Sequence, residues 1–323
     1  KMKCVLIIGV NGQDGTYLTD LLISKNYIVH GIVRQKSQYL TNKILQNQIN
    51  KNRIKVHNID VLDIDCLKAL ILDIKPNEIY YLATTHELKM SKANYHQVMS
   101  INISGLINIL EIAKHNMPTI KIFYSSSSNV FAGSKESPQN ETTIKNPKSL
   151  YGIAKLTAMN LINLYKNDYN LFACYGILYN HESILRKKIF LPMKIVDGAV
   201  NISLGRQKKL LIGSFEDIRD WGCAKEYVYA MWLMLQAQNP NNYVVGTGKI
   251  MTVKDVVSIV FAHLNLDWKN FIEIDKAFSR DIKTVPLIAD SKKIKQDLGW
   301  FASRDFKYVL KEMIEEDLKI KQG

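Results

Sequence analysis

The segment YGIAK sets Tyr151 and Lys155 four residues apart, on one face of any helix that carries them. A phenol beside an ammonium can pass a proton to or from an alcohol or a ketone, because the positive charge favours the phenolate. About 24 residues before the tyrosine, the run SSSSNVFAG (Ser125 to Gly133) supplies hydroxyls and no carboxylate. A Tyr-x-x-x-Lys spacing alone also arises by chance, with tyrosine as core filler and lysine as surface charge. Other features of the chain must decide between these readings.

The first of them is VLIIGVNGQDGTYLTDLLI, which places Gly9, Gly12 and Gly15 between an apolar run and an amphipathic one. Glycines at GxxGxxG spacing allow a tight turn whose N–H groups, with the helix N-terminus, face a pyrophosphate. Gln13 and Asp14 lie in the same turn. The next apolar run ends in HGIVRQKS, which offers Arg34 and Lys36 and no acid to grip a ribose diol. NADP is therefore preferred over NAD, unless both bases are plain surface charge. Asp60 could accept a hydrogen bond from an adenine amino group, and Ala83 would let the backbone lie against the cofactor. With a nicotinamide present, Ser, Tyr and Lys form an oxidoreductase site.

The elements that position these residues read as a Rossmann-type α/β fold, a parallel sheet with helices on both faces. Strands are expected at Cys4–Ile8, Tyr27–Val33, Ile54–Ile59, Glu78–Ala83, Ile120–Tyr124 and Leu171–Ile177. Helical patterns fall at Tyr17–Lys25, Asp63–Ile74, Tyr95–His115 and Ser149–Lys166, with Lys36–Asn52 a helix or an excursion over the sheet edge. Residues 1–178 are thus read as the dinucleotide-binding domain and 179–323 as a smaller mixed substrate lobe, some of whose chain returns to the main domain. In that lobe Leu185–Gly198 is expected as a helix and NISLG as a short strand, followed by a long helix after IRDWG. Tyr243–Val245 is expected as a strand. A helix capped by Thr252 with Asp255 follows it, then two more at Asp290–Leu298 and Asp305–Glu316.

Composition narrows the class. The 323 residues are 47% hydrophobic, enough for a sizeable core and against disorder. The net charge of +13 suits anionic partners, but the lysines are scattered and form no basic block. No aromatic-interleaved basic stripe suggests nucleic-acid binding. Cys4, Cys66, Cys174 and Cys223 form no CxxC pair, so neither disulfide nor metal site is expected, and each is read as a buried apolar residue. No apolar run spans a membrane and the N-terminus lacks a leader pattern, so the cytoplasm is the expected location.

The whole chain resembles the extended short-chain dehydrogenases that modify nucleotide sugars, and within them the GDP-mannose 4,6-dehydratase family. The resemblance rests on GVNGQDGTYLTDLL, HGIVR, KPNEIYYLA, YGIAKL, NLFACYGILYNHES, IRDWGCAKEYVYAMWLML and DSKKIKQDLGW, spread over residues 9 to 300. It implies a GDP-linked sugar substrate, with Tyr151 and Lys155 as the proton-transfer pair and Asn180, Glu182 and Ser183 beside the nucleotide-sugar. Arg219 and Arg280 would clasp the GDP half, as a bidentate guanidinium can, with Lys194 a further candidate. Each of the three is otherwise a satisfied surface or interdomain charge. The resemblance also implies a homodimer or homotetramer, although Gln35 stands where the family's tetramer-forming segment has its second arginine.

One departure weighs against the family's reaction. In the dehydratases a Thr is followed two residues later by a Glu that takes the C5 proton. Alignment back from VF puts Ser127 at the hydroxyl and Asn129 at the carboxylate, with Ala132 as an extra residue. Counting from Phe123 puts Ser128 and Val130 there; the first register keeps Ile122–Ser126 in step and is preferred. Neither amide nor isopropyl takes up a proton near neutral pH. The expected function is therefore hydride transfer at C4 of a GDP-linked hexose or heptose without dehydration, as dehydrogenase, 4-keto reductase or epimerase. The alternatives are a 4,6-dehydratase with a base from elsewhere (His86, Glu87, Glu136 or Glu141) and a non-catalytic GDP-sugar-binding protein.

Overall fold

Short β-branched runs alternating with amphipathic stretches build a seven-stranded, all-parallel sheet whose strands lie in the order 243–245, 172–178, 121–127, 78–81, 4–8, 28–33 and 54–58. The structure is a computed structural model and describes residues 2–34, 43–84, 92–275 and 285–322. The sheet takes β1 (Cys4–Ile8), β2 (Ile28–Val33), β3 (Ile54–Asn58), β4 (Glu78–Tyr81), β5 (Lys121–Ser127) and β6 (Phe172–Leu178) from the first half. Between them run α1 (Gln13–Ser24), α2 (Lys43–Asn50), α3 (Ile64–Ile74), α4 (Lys92–Met99), α5 (Gly105–Asn116) and α6 (Leu150–Asp168). Val5 to Ile8 of β1 are wholly buried, as a strand covered on both faces requires. Each such side chain contributes about 1.5–3 kcal/mol by leaving water.

The chain order reverses between β1 and β4, and the crevice beyond the strand ends at that point is where a doubly wound sheet takes its ligands. Local signals fix the helix starts around it. Asp63 caps α3 by accepting from Cys66 N, and Ser149 caps α6 by accepting from Gly152 N at 3.1 Å.

The lobe is built from β7 (Asn180–Glu182), α7 (Leu191–Ser203), β8 (Leu210–Ile212), β9 (Ile218–Arg219) and β10 (Trp221–Cys223), whereas α8 (Ala224–Gln236) packs back on the core of the main sheet. The chain then returns through β11 (Tyr243–Val245), which pairs with β6 of the main sheet. It continues as β12 (Met251–Thr252), α9 (Val253–His263), β13 (Ile272–Ile274), α10 (Lys292–Leu298) and α11 (Phe306–Gln322). Thr252 and Asp255 form the expected capping box at α9. A second apolar core, with Val196, Ile212, Phe261 and Leu310 fully or nearly fully buried, joins α7, β8, α9 and α11. Among the described residues no helix is long and apolar enough to cross a membrane.

Several expectations are corrected here. The helix expected from Leu185 begins only at Leu191, where Pro192 in the first turn sets its start. NISLG is not a strand but the end of that helix and its exit, turned by Gly205 at φ +68°. A short β-branched run reads alike in either state. The single helix expected at Tyr95–His115 is interrupted by a π-helical turn, Ser100–Ser104. Cys174 and Cys223 are buried, but Cys66 is exposed and Cys4 half-buried, since both lie near element ends.

Candidate active site

At the end of β1 the backbone crowds itself. Gly9 has φ +89°, and a Cβ on it would stand 2.9 Å from Ala83 N. A Cβ on Gly15 would stand 2.5 Å from Gly9 O, so α1 can approach the strand only without a side chain there. Gly12 caps α1 with no side-chain hydrogen bond, and only Gly9 O lies near the place of its absent Cβ. The first-turn amides of α1 are thus left for an anion, and these residues fit the pyrophosphate of a dinucleotide. Arg34 is exposed just past β2. Asp60 follows β3, with Oδ1 accepting from Leu62 N at 3.0 Å. Lys36 lies outside the described residues.

Gln13 and Asp14 open α1, but their side chains bond across to β7. Gln13 Nε2 donates to His181 O at 3.0 Å, and Ser183 Oγ donates to Gln13 Oε1 at 2.7 Å. His181 Nε2 is 3.0 Å from both Asp14 oxygens. Burial would lift the Asp14 carboxyl, but His181 beside it holds it below the usual range. Ser183 thus faces the glycine turn, where the resemblance had placed it beside the nucleotide-sugar.

Tyr151 stands in the first turn of α6, half-buried, with its phenol in hydrogen-bond reach of Ser127 and Thr84. Burial pushes that phenol up to about 12, against the pull of both hydroxyls and of the Arg186 charge. Ser127 ends β5, and its oxygen accepts from Asn129 N at 3.3 Å and Asn129 Nδ2 at 3.2 Å. With its lone pairs so engaged, Ser127 keeps its proton for the phenol oxygen or a substrate oxygen. Val130 is wholly buried and Ser128 nearly so, whereas Ser127 lies within hydrogen-bond reach of the phenol. Lys155 Nζ donates to Ser125 O at 2.7 Å and lies 5.5 Å from the centre of the Tyr151 ring. Burial pulls its ammonium down to about 7.

Behind Tyr151 lies a chain that the sequence did not disclose. Thr84 Oγ1 donates to Asn102 Oδ1 at 3.3 Å, Tyr124 OH donates to the same oxygen at 3.2 Å, and Asn102 Nδ2 donates to Val98 O at 2.9 Å. Asn102 is fully buried in the π-helical turn. An amide in the apolar stretch SINISGLINIL, which also carries Asn108, was the available signal.

The lobe contributes a cleft of about 240 Å³ whose walls include Asn180, Glu182, Arg186, Phe190, Lys194 and Arg219. Arg186, which the sequence reading missed, stacks its guanidinium 3.6 Å over the Phe190 ring. Its Nε is 3.0 Å from Glu182 Oε2, yet neither atom has an aligned hydrogen bond. Burial lifts the Glu182 carboxyl despite that charge. Arg219 pairs with Asp217 at 3.1 Å, and burial pulls Lys194 down. The neighbouring Asp220 is structural: its oxygens accept from Thr247, Gly248 and Ala289 N–H groups at 2.9–3.0 Å. Glu141 accepts from Val244 N at 2.7 Å, on the outer strand β11, and Glu136 is exposed. His86, Glu87 and Arg280 lie outside the described residues.

A doubly wound sheet with a glycine turn at β1, a Ser-Tyr-Lys set at β5 and α6, and an adjoining lobe cleft define an extended short-chain dehydrogenase. These are NAD(P)-dependent oxidoreductases of nucleotide sugars. A family model described as GDP-mannose 4,6 dehydratase matches residues 6–313. GDP-mannose 4,6 dehydratase 2 of Arabidopsis thaliana is 38% identical, covering 98% of this chain and 87% of the relative. The human GDP-mannose 4,6 dehydratase is 34% identical over 98% of this chain and 91% of its own. The crystal structure of a dTDP-glucose 4,6-dehydratase from Bacillus anthracis in complex with NAD shares the fold. Its TM-score is 0.85 at 18% identity, covering 99% of this chain and 97% of that one. The chain belongs to the GDP-mannose 4,6-dehydratase family.

This corrects the expected reaction. Hydride transfer without dehydration followed from one missing carboxylate, but the matching family and both relatives are by name 4,6-dehydratases. Asn129 orders the Ser127 hydroxyl and carries no information about which other group takes a proton.

Proposed function

We propose that this chain is a cytoplasmic, homo-oligomeric 4,6-dehydratase of a GDP-linked sugar, its C5 proton taken by a group other than Asn129. The observation that carries the reading is 38% identity to a GDP-mannose 4,6 dehydratase over 98% of the chain, with Ser127, Tyr151 and Lys155 all in place. Arg34 beyond β2, with no acid beside it in HGIVR, favours NADP over NAD. The division at residues 178 and 179 is kept, with GDP in the cleft bounded by Asn180, Lys194 and Arg219.

The bound dinucleotide supplies a hydride acceptor and donor. The protein handles the protons. Tyr151, with Ser127 donating to the same oxygen, takes the O4 proton as C4 becomes a ketone. That ketone acidifies the C5 hydrogen, a base removes it, the C6 hydroxyl leaves as water once protonated, and return of the hydride to C6 with a proton to C5 completes a net loss of one water. Asn129 lacks a basic lone pair, and Glu141 is engaged at β11. We assign the base to Glu87, three residues after the Thr84 that neighbours the Tyr151 phenol.

The test is incubation with GDP-mannose and NADP, read by mass spectrometry. Loss of the mass of one water is expected, and Glu87→Gln should slow it by about 10²- to 10⁴-fold. A product altered only by two hydrogens overturns the dehydratase reading. An unaffected Glu87→Gln overturns the assignment of the base alone.

A further inference from the structure

The bonds from α1 to β7 join the two binding regions directly. Successive strand residues face opposite ways: Asn180 and Glu182 border the lobe cleft, while His181 between them reaches Asp14. The other ring nitrogen, Nδ1, is 2.7 Å from Tyr179 O. A carbonyl and a carboxylate only accept, so both ring nitrogens carry hydrogen and the ring is an imidazolium. It stacks on Tyr227 with centroids 4.5 Å apart, which fixes its plane. Gln13 doubles the link, donating to His181 O and accepting from Ser183 Oγ.

This arrangement answers an electrostatic problem. A carboxylate in the first turn of α1 would repel a pyrophosphate approaching the same amides. The imidazolium of His181 neutralises Asp14 and adds a bond that holds the turn in place. On its other side, β7 carries Asn180 and Glu182 of the cleft wall. An anion in either region favours the charged ring and the fixed strand that the other region needs.

We propose that Asp14, Gln13, His181 and Ser183 are positioning residues that couple the two sites, so that dinucleotide and nucleoside diphosphate each tighten the other's binding. The inference rests on the assignment of dinucleotide to the glycine turn and GDP to the lobe cleft, and not on the dehydration step. Coupling of this kind is reciprocal.

The experiment is calorimetric titration of the full chain with NADPH, with and without saturating GDP, and the converse titration. In the wild type GDP should lower the NADPH Kd by about fivefold or more, the lower end of ordinary coupling, and NADPH should lower the GDP Kd by the same factor. In Gln13→Ala and in Ser183→Ala the factor should fall below about two. A merely structural role would weaken each ligand alone and leave the ratio unchanged. A wild-type factor near one, with both ligands bound, overturns the coupling and leaves the site assignment standing, as does an undiminished factor in both variants. Failure of the wild type to bind NADPH or GDP overturns the site assignment and the coupling together.

Discussion

Replacing Lys155 by methionine should make the ligand-free protein more stable at pH 6 and less stable at pH 10. Lys155 is 1% exposed, and burial draws its ammonium from 10.5 down to about 7. Between those values the unfolded chain holds a proton that the native state lacks, so wild-type stability rises with pH. At about 1.4 kcal/mol per pH interval the rise totals about 5 kcal/mol, which below pH 7 stands as a standing cost of the buried charge. Methionine removes it but leaves Ser125 O without its donor, worth about 1–3 kcal/mol. It also forfeits the ammonium's contact with the Tyr124 ring at 4.6 Å, about 1 kcal/mol. The variant should therefore be more stable by about 1–3 kcal/mol at pH 6 and less stable by up to about 2 kcal/mol at pH 10. The two curves should cross between about pH 8 and 10. Urea unfolding followed by circular dichroism at pH 6, 8 and 10 measures this. A Lys155→Met protein less stable than wild type at pH 6 would refute the argument, because the buried ammonium would then carry no net cost.

Two further outcomes follow from the site. Tyr151→Phe keeps the ring and loses the hydroxyl near Ser127 and Thr84, so water loss from GDP-mannose should slow about 10²- to 10⁴-fold; a variant retaining a tenth of the wild-type rate contradicts the role. Gly15→Ala drives a methyl group to 2.5 Å from Gly9 O, which should weaken NADPH binding by at least about tenfold, or about 1.4 kcal/mol. Cofactor fluorescence titration reads it, and unchanged affinity would show that the turn does not hold the dinucleotide.

The main sheet was legible because its signals are local. The run of buried aliphatics in β1, the glycines behind it and the Thr252–Asp255 box each carry their instruction within a few residues. The strand boundaries agree to within two residues, and at β1 and β11 without any difference, except at β5, which runs on to Ser127. What escaped was set by contacts across the chain. Nothing near Thr84 announces Asn102, eighteen residues on, because a π-helical turn rather than a sequence spacing brings the two together. His181 was read only as part of NHES, since its partner Asp14 lies 167 residues away. The reaction was misread for a different reason: one missing carboxylate was weighed above a likeness that runs over 98% of the chain.

The return of β11 to the edge of the main sheet has a consequence for how the molecule comes into being. A nascent chain that has emerged only as far as β6 presents that strand as an open rim, with backbone donors and acceptors unmet until residues 243–245 arrive. A gene fragment stopped after β6 would keep that rim for good and so invite self-adhesion. Splitting this polypeptide into a soluble cofactor half and a soluble sugar half therefore requires that the donated strand be grafted back.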